Sequence, residues 1–291
     1  MLEFDAGRFA REFSKELAPR DTLPLGQVLR IHTQDCYTGQ IKADGSVGPS
    51  LGPNPATGPF FVEGARPGDT LVVEVLHIGL PAYGIMRVRE GLGAMQEVIR
   101  GHDARVLPIQ GGKTCLNGVW LPLAPMIGVI GVAPGGAAVD NDTPGRHGGN
   151  MDDRRIGPGA RVYLPVAVEG ALFGLGDLHA QMGDGEVAIC GLEVAGYVDL
   201  RLSLLHGRQE EWPVVERDGS FSINCSAKTL DEAARLARYG LHRFLQSRTK
   251  LDANTVAMLQ SLVCDLSVCQ LVDPLVTVRM ALRSGVLDIA F

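Results

Sequence analysis

The sequence predicts a mainly β fold, a sandwich or barrel, with helices gathered near the C-terminus. Three observations carry this. The 37 glycines and 17 prolines fall as punctuation between short apolar runs, with no period that would mark collagen or a repeat array. The runs themselves are rich in Val and Ile, and the clearest of them alternates, as half-buried strands do. Helical spacing of apolar residues is sustained only in the last quarter of the chain.

Taken in order, residues 9–17 form a short amphipathic stretch and are expected as a surface helix. Residues 28–34 read as a strand, with Ile31, Thr33 and Asp35 on one face and His32 and Gln34 on the other. A Pro-Gly-Asp turn at 67–69 leads into the alternating strand 70–78. The glycine-rich stretch 84–118 has weak periodicity and receives no assignment. Strands follow at 125–134, 159–168 and 186–194, where Cys190 alternates with apolar neighbours and is expected in the core. Leu230, Ala233, Ala234, Leu236, Ala237, Leu241 and Leu245 then recur at helical spacing within 226–248. Thr229 is placed to cap that helix, with Glu232 at the capping-box distance. A second helix is expected over 252–271, with Asp252 as its N-cap and Pro274 beyond its end. The division predicted is a β-rich body over 1–225 and a C-terminal helical portion over 226–291, packed as one unit.

Composition narrows the function. The formal charge of −6, from 27 basic and 33 acidic residues, argues against nucleic acid, whose binding rests on phosphate neutralisation by clustered Lys and Arg. No apolar stretch approaches the roughly 18 residues of a membrane span, and the N-terminus lacks a basic start and apolar core of a signal peptide. Six scattered cysteines without C-x-x-C spacing read as reduced thiols of a cytoplasmic protein.

Polar residues fit for metal work concentrate in two places. Asp35 follows a strand end and can present its carboxylate there, although a turn aspartate bonding its own backbone is the commoner outcome. Cys36 beside it gains no help in ionising from a neighbouring carboxylate and is a weak nucleophile candidate. The second place holds His147-Gly-Gly-Asn-Met-Asp-Asp and, after a short strand, Asp177-Leu-His-Ala-Gln-Met-Gly-Asp-Gly-Glu. An Asp177-x-His179 pair offers one oxygen and one nitrogen to a divalent ion, a combination that suits zinc. Asp184 and Glu186 are again two apart, between glycines that permit tight turns, and a glutamate beside a metal can act as general base. A structural calcium-type loop or a solvated acidic turn would use the same residue types. His77 and His206 are expected as satisfied structural histidines. The chain has no nucleophile elbow, Walker loop or His-Glu-x-x-His.

The order of several segments resembles the acetamidase/formamidase family. They are Thr33-Gln-Asp-Cys, Asn54-Pro-Ala-Thr-Gly-Pro, Val62-Glu-Gly-Ala-Arg-Pro-Gly-Asp, Gly148-Gly-Asn-Met-Asp, Gly176-Asp-Leu-His-Ala-Gln-Met-Gly-Asp-Gly-Glu and Cys264-Asp-Leu-Ser-Val-Cys-Gln-Leu-Val-Asp-Pro. Met182 and the stretch 84–118 depart from the pattern. The resemblance implies a β-sandwich-like body with additional α+β elements, usually a homo-oligomer, that hydrolyses short linear amides such as formamide or acetamide. Carried over by motif, Asp35, Asn150, Asp177 and His179 line a metal-bearing site, Glu186 lies nearby, and Glu193 and Asp152 are further candidates. The mechanism expected has Glu186 as general base and the Gly148–Gly149 backbone as oxyanion donors beside the metal. The ion is expected to be zinc, with calcium at any oxygen-rich second site. Two other readings stay open: a hydrolase of a larger or cyclic amide, and a non-catalytic metal-stabilised β protein that binds a small ligand.

Overall fold

The computed structural model describes residues 1–44, 46–49, 52, 54–287 and 289. Two large sheets dominate. One has nine strands, in the spatial order Leu2–Phe4, Val28–Thr33, Gly196–Leu205, Thr70–Gly79, Arg161–Pro165, Val214–Arg217, Ser220–Ala227, Val276–Leu282 and Cys264–Gln270. The other runs Val119–Pro122, Lys113–Leu116, His102–Gln110, Tyr83–Arg89, Glu193–Val194, Phe173–His179, Met126–Gly131 and Gly148–Asn150. Ala56–Val62 joins it against Phe173–His179 and brings two short strands with it. The main core lies between these sheets. Leu29, Ile31, Val73, Val75, Val162, Val198 and Leu200 from the first meet Phe60, Ile127, Ile130, Phe173, Leu175 and Leu178 from the second. Phe60 and Phe173 are fully buried, and each such side chain contributes about 1.5–3 kcal/mol through burial. Of the sandwich or barrel that the strand pattern predicts, this is the sandwich, the body that the family resemblance implies.

A second core seats the C-terminal helices. The helix Leu230–Arg248 starts where the Thr229 hydroxyl accepts the Glu232 amide hydrogen at 3.3 Å, as its capping-box spacing suggests. Ala233, Ala237, Leu241, Phe244 and Leu245 then form its buried stripe against Ile223, Cys225, Val278 and Met280. Asp252 caps the helix Ala253–Val263 by accepting from the amides of Asn254 and Thr255. Among the described residues, no helix is long and apolar enough to cross a membrane.

Three local expectations are corrected. Residues 252–271 are not one helix: it stops at Val263, and Cys264–Gln270 is a strand paired with Val276–Leu282. The hairpin through Pro274 satisfies backbone groups that a continued helix would leave the β-rich Val276-Thr-Val without. Residues 9–17 hold two short strands, Phe9–Ala10 and Glu12–Phe13, because their aromatic side chains find sheet partners. The stretch 186–194 is extended only at Glu193–Val194, since Glu186 and Ile189 take left-handed backbone angles of +47° and +79°. The unassigned stretch 84–118 carries most of Tyr83–Arg89, then His102–Gln110 and Lys113–Leu116. Ser226, at the start of the C-terminal portion, falls inside the strand Ser220–Ala227, so the nine-stranded sheet runs through both segments.

Candidate metal centre

The centre forms where the eleven-stranded sheet brings three short segments edge to edge. Phe173–His179 lies between Met126–Gly131 and Glu193–Val194, and the register sets His179 opposite both Met126 and Glu193. His179 Nε2 lies 3.1 Å from Glu193 Oε1, 3.4 Å from Asp177 Oδ1 and 3.9 Å from Asp152 Oδ1. His179 and Asp152 are wholly buried, and Asp177 and Glu193 nearly so. Two donor groups result, each with its atoms within 4.8 Å of one another: Asp152 with His179 and Glu186, and Cys36 with Asp177 and Glu193.

The backbone is bent to achieve this. Asp152, Asp177 and Glu186 have φ angles of +45°, +54° and +47°. Left-handed conformations are tolerated by Asp but are costly for Glu, and they cluster at functional sites. Glycines make room for the side chains. A Cβ on Gly128 would stand 2.5 Å from Asp152 Oδ1 and 2.7 Å from Asp177 Oδ2, and one on Gly191 would stand 2.6 Å from His179 Nδ1. The turn that carries Glu186 is pinned by its neighbour: Asp184 accepts from Arg279, which also pairs with the fully buried Asp153. Asp184 is therefore an anchor for Glu186, at 34% side-chain exposure.

Electrostatics show what the centre could hold. Burial pushes Asp152 well above the usual carboxylate range, and Glu186 and Asp177 add to the effect. Burial raises Glu186 in the same way; His179 opposes this, while Asp273, Glu193 and Asp177 reinforce it. Burial disfavours a charged His179, yet Glu193 and Asp177 hold it well above its ordinary value. Despite this proximity, neither ring nitrogen of His179 is aligned on a hydrogen-bond partner. Both oxygens of Asp152, Glu193 Oε2 and Asn150 Oδ1 are buried without one as well. Four carboxylates, an imidazole and a thiol gathered with so many unpaired lone pairs match the donor set of a divalent cation. The residues present fit such an ion.

Each expected site residue has a definite place. Asp152, Asp177, His179, Glu186 and Glu193 converge. Asn150 stands beside them, its Nδ2 donating to Asp273 Oδ2 at 2.9 Å. Asp35 turns away from the donor groups: its carboxylate accepts the Tyr37 amide hydrogen at 2.8 Å and the Gly39 amide hydrogen at 3.1 Å, the turn arrangement. The Gly148 amide is spent on the Gly145 carbonyl at 3.1 Å and is not free for an oxyanion. His77 and His206 are exposed; His206 Nδ1 pairs with Asp69 at 3.0 Å. Sequence reasoning missed two members. Asp273 comes from the hairpin near the end of the chain, with no local signal beyond the Val-Asp-Pro turn. Cys36, set aside as a nucleophile, joins Asp177 and Glu193 as a buried donor whose thiol burial pushes well up. Over the centre lies a cavity of about 510 Å³, bordered by Cys36, Tyr37, Asn150, Glu186, Glu193 and Asp273.

Sandwich and centre together define a β-rich scaffold built around a buried carboxylate–histidine cluster that could hold an ion. The chain matches the model of the Acetamidase/Formamidase family over residues 9–143 and 138–224 and belongs to that family. A solved acetamidase structure from Bacillus halodurans is 42% identical, with 97% of each chain covered and a TM-score of 0.92. A solved structure of a predicted acetamidase/formamidase from Thermoanaerobacter tengcongensis is 40% identical, covers 97% of this chain and 95% of its own, and gives a TM-score of 0.93. An acetamidase of Mycolicibacterium smegmatis is 27% identical, with 66% of this chain and 65% of that protein covered. The chain thus spans less than two thirds of the length of the curated relatives it matches.

Proposed function

We propose that the chain hydrolyses the carbon–nitrogen bond of a small linear carboxamide to a carboxylate and ammonia, assisted by a divalent ion. The observation that carries this is the buried cluster of Asp152, Asp177, His179, Glu186 and Glu193, with unpaired oxygens and ring nitrogens, opening on a cavity in a chain of this family. Asp152, Asp177, His179 and Glu193 would hold the ion, with Cys36 at the edge of the set. The imidazole favours zinc, and an all-oxygen position would suit calcium. When bound, such an ion polarises the amide carbonyl and makes water a better nucleophile.

The protein's own groups do the rest. Glu186, at the cavity wall and raised by burial, takes a proton from the attacking water at a carboxylate oxygen and passes it to the leaving nitrogen. With an ion held by its neighbours, Glu186 would keep its carboxylate available as a base against that rise. Asn150, oriented by Asp273, keeps its Oδ1 unpaired and able to accept a hydrogen bond from the substrate amide. Arg279 and Asp184 fix the turn on which Glu186 stands.

A homo-oligomer and a cytoplasmic setting belong to the same reading. Exposed Val119, Trp120, Met258 and Leu262 support the first, and six free cysteines support the second. The test is ammonia release from formamide, acetamide and longer amides by protein as isolated, after chelation, and after zinc is returned. Turnover that vanishes and returns supports the reading, and absence of turnover from fully metal-loaded protein overturns it.

A further inference from the structure

The cavity over the centre is larger than acetamide needs and carries cations that hydrolysis alone does not use. Its volume of about 510 Å³ lies within the roughly 300–1,000 Å³ of sites for much larger ligands. Asp177, Glu186, Glu193 and Asp273 are part of its lining. Arg87 and Arg89, from the strand Tyr83–Arg89, line the cavity too.

Arg87 is held in place by its backbone: its amide donates to Cys190 Sγ at 3.3 Å, and its carbonyl accepts the Cys190 thiol at 3.0 Å. Its guanidinium carbon lies 5.5 Å from the Tyr37 ring centroid, one residue along the chain from the donor Cys36. Its Nε is buried and has no hydrogen-bond partner. Among the described residues, neither Arg87 nor Arg89 forms an ion pair, although the cavity they line also holds Asp142, Glu186 and Asp273. A half-buried guanidinium that lies near a tyrosine ring and borders the cavity is a fork for a planar anion, and its terminal nitrogens match a carboxylate through two parallel hydrogen bonds.

We propose that Arg87, with Arg89 beside it, binds a carboxylate on the substrate, so that the preferred substrate is an amic acid, with a carboxamide at one end and a carboxylate at the other. This rests on the amide-hydrolase reading. The scissile amide lies over the centre while the remote carboxylate reaches the arginines, which offset the repulsion an anion would meet from the acidic lining. The chemistry is unchanged: water adds at the amide carbon, the carbon–nitrogen bond breaks, and ammonia leaves a dicarboxylate behind.

The experiment compares kcat/KM for succinamate with that for 4-methylpentanamide, in which a neutral isopropyl group replaces the carboxylate. The native protein favours succinamate by at least about tenfold, and Arg87→Met lowers that ratio by about tenfold or more. The ratio cancels any general loss of activity, and Arg87→Gln supplies it should the Met variant fail to fold. A native ratio of one or below, or a ratio unmoved by either substitution, overturns the proposal. No ammonia from either compound or from acetamide sinks the hydrolase reading itself, a separate outcome.

Discussion

His179 and Glu193 face each other across an antiparallel pair, with the ring nitrogen Nε2 3.1 Å from carboxylate Oε1, and that oxygen also accepts the Gly191 amide hydrogen at 3.0 Å. The sheet register thus fixes a base and an acid at contact distance, and the backbone orients the acid. Glu193→Gln keeps the shape and removes the charge. Ion affinity is expected to fall by at least about tenfold, the scale of orienting partners at metal sites. Metal content after dialysis against graded chelator reads it, and unchanged retention would refute a role for Glu193 in the centre.

Glu186→Gln is expected to behave differently. The proposed base is lost while Asp152, Asp177, His179 and Glu193 remain, so bound metal persists and turnover drops by about 10²–10⁴-fold. Parallel metal analysis and ammonia assays separate the two effects. Full turnover in a metal-loaded variant would remove Glu186 from the mechanism.

Gly128 supports the centre without contributing a side chain. A methyl there collides with carboxylate oxygens of Asp152 and Asp177, so Gly128→Ala displaces two donors from a strand that is buried throughout. Overpacking of this kind costs about 1–3 kcal/mol. Urea unfolding and ion titration should both register it, and a variant equal to the parent in both contradicts the packing argument.

Arg279 is nearly buried between Asp153 and Asp184. Arg279→Met leaves Asp153 charged in the interior, a loss on the order of 3–5 kcal/mol, and frees the turn that bears Glu186. Stability and kcat are both expected to fall. A stability loss under about 1 kcal/mol would place this pair among ordinary surface bridges.

Burial holds His147 down to about 4 from 6.5, so between these values the unfolded chain binds a proton that the folded protein refuses. Stability from this residue is complete above pH 6.5 and declines as pH falls towards 4, by about 3 kcal/mol in all. His147→Leu removes that component. Unfolding midpoints of parent and variant against pH should diverge below 6.5, and parallel curves would show that the ring is hydrated.

Much of this was legible because the determinants are local. Thr229 and Asp252 announce their helices through hydroxyl and carboxylate caps, and Asp177-x-His179 marks two side chains that stand 3.4 Å apart in adjoining donor groups. The failures are tertiary. Leu266 continues the helical spacing of Leu259 and Leu262, yet its segment pairs with Val276–Leu282 because that strand needs a partner. Glu186 and Asp177 sit on left-handed backbone that no propensity forecasts. Asp273 reaches the centre only through the hairpin that follows the second helix, and nothing local to Val-Asp-Pro says where that hairpin lands.

That hairpin has a consequence for biosynthesis. The centre draws Asp152 from mid-chain, while Asp273 and the anchor Arg279 emerge on the order of a hundred residues later, an interval on the order of ten seconds at ordinary elongation rates. Until then a nascent chain carries several acids with neither their cation clamp nor their last wall. The complete cluster therefore cannot form until the last segment has emerged, and any ion held by all of these groups would be taken up only after synthesis of the chain.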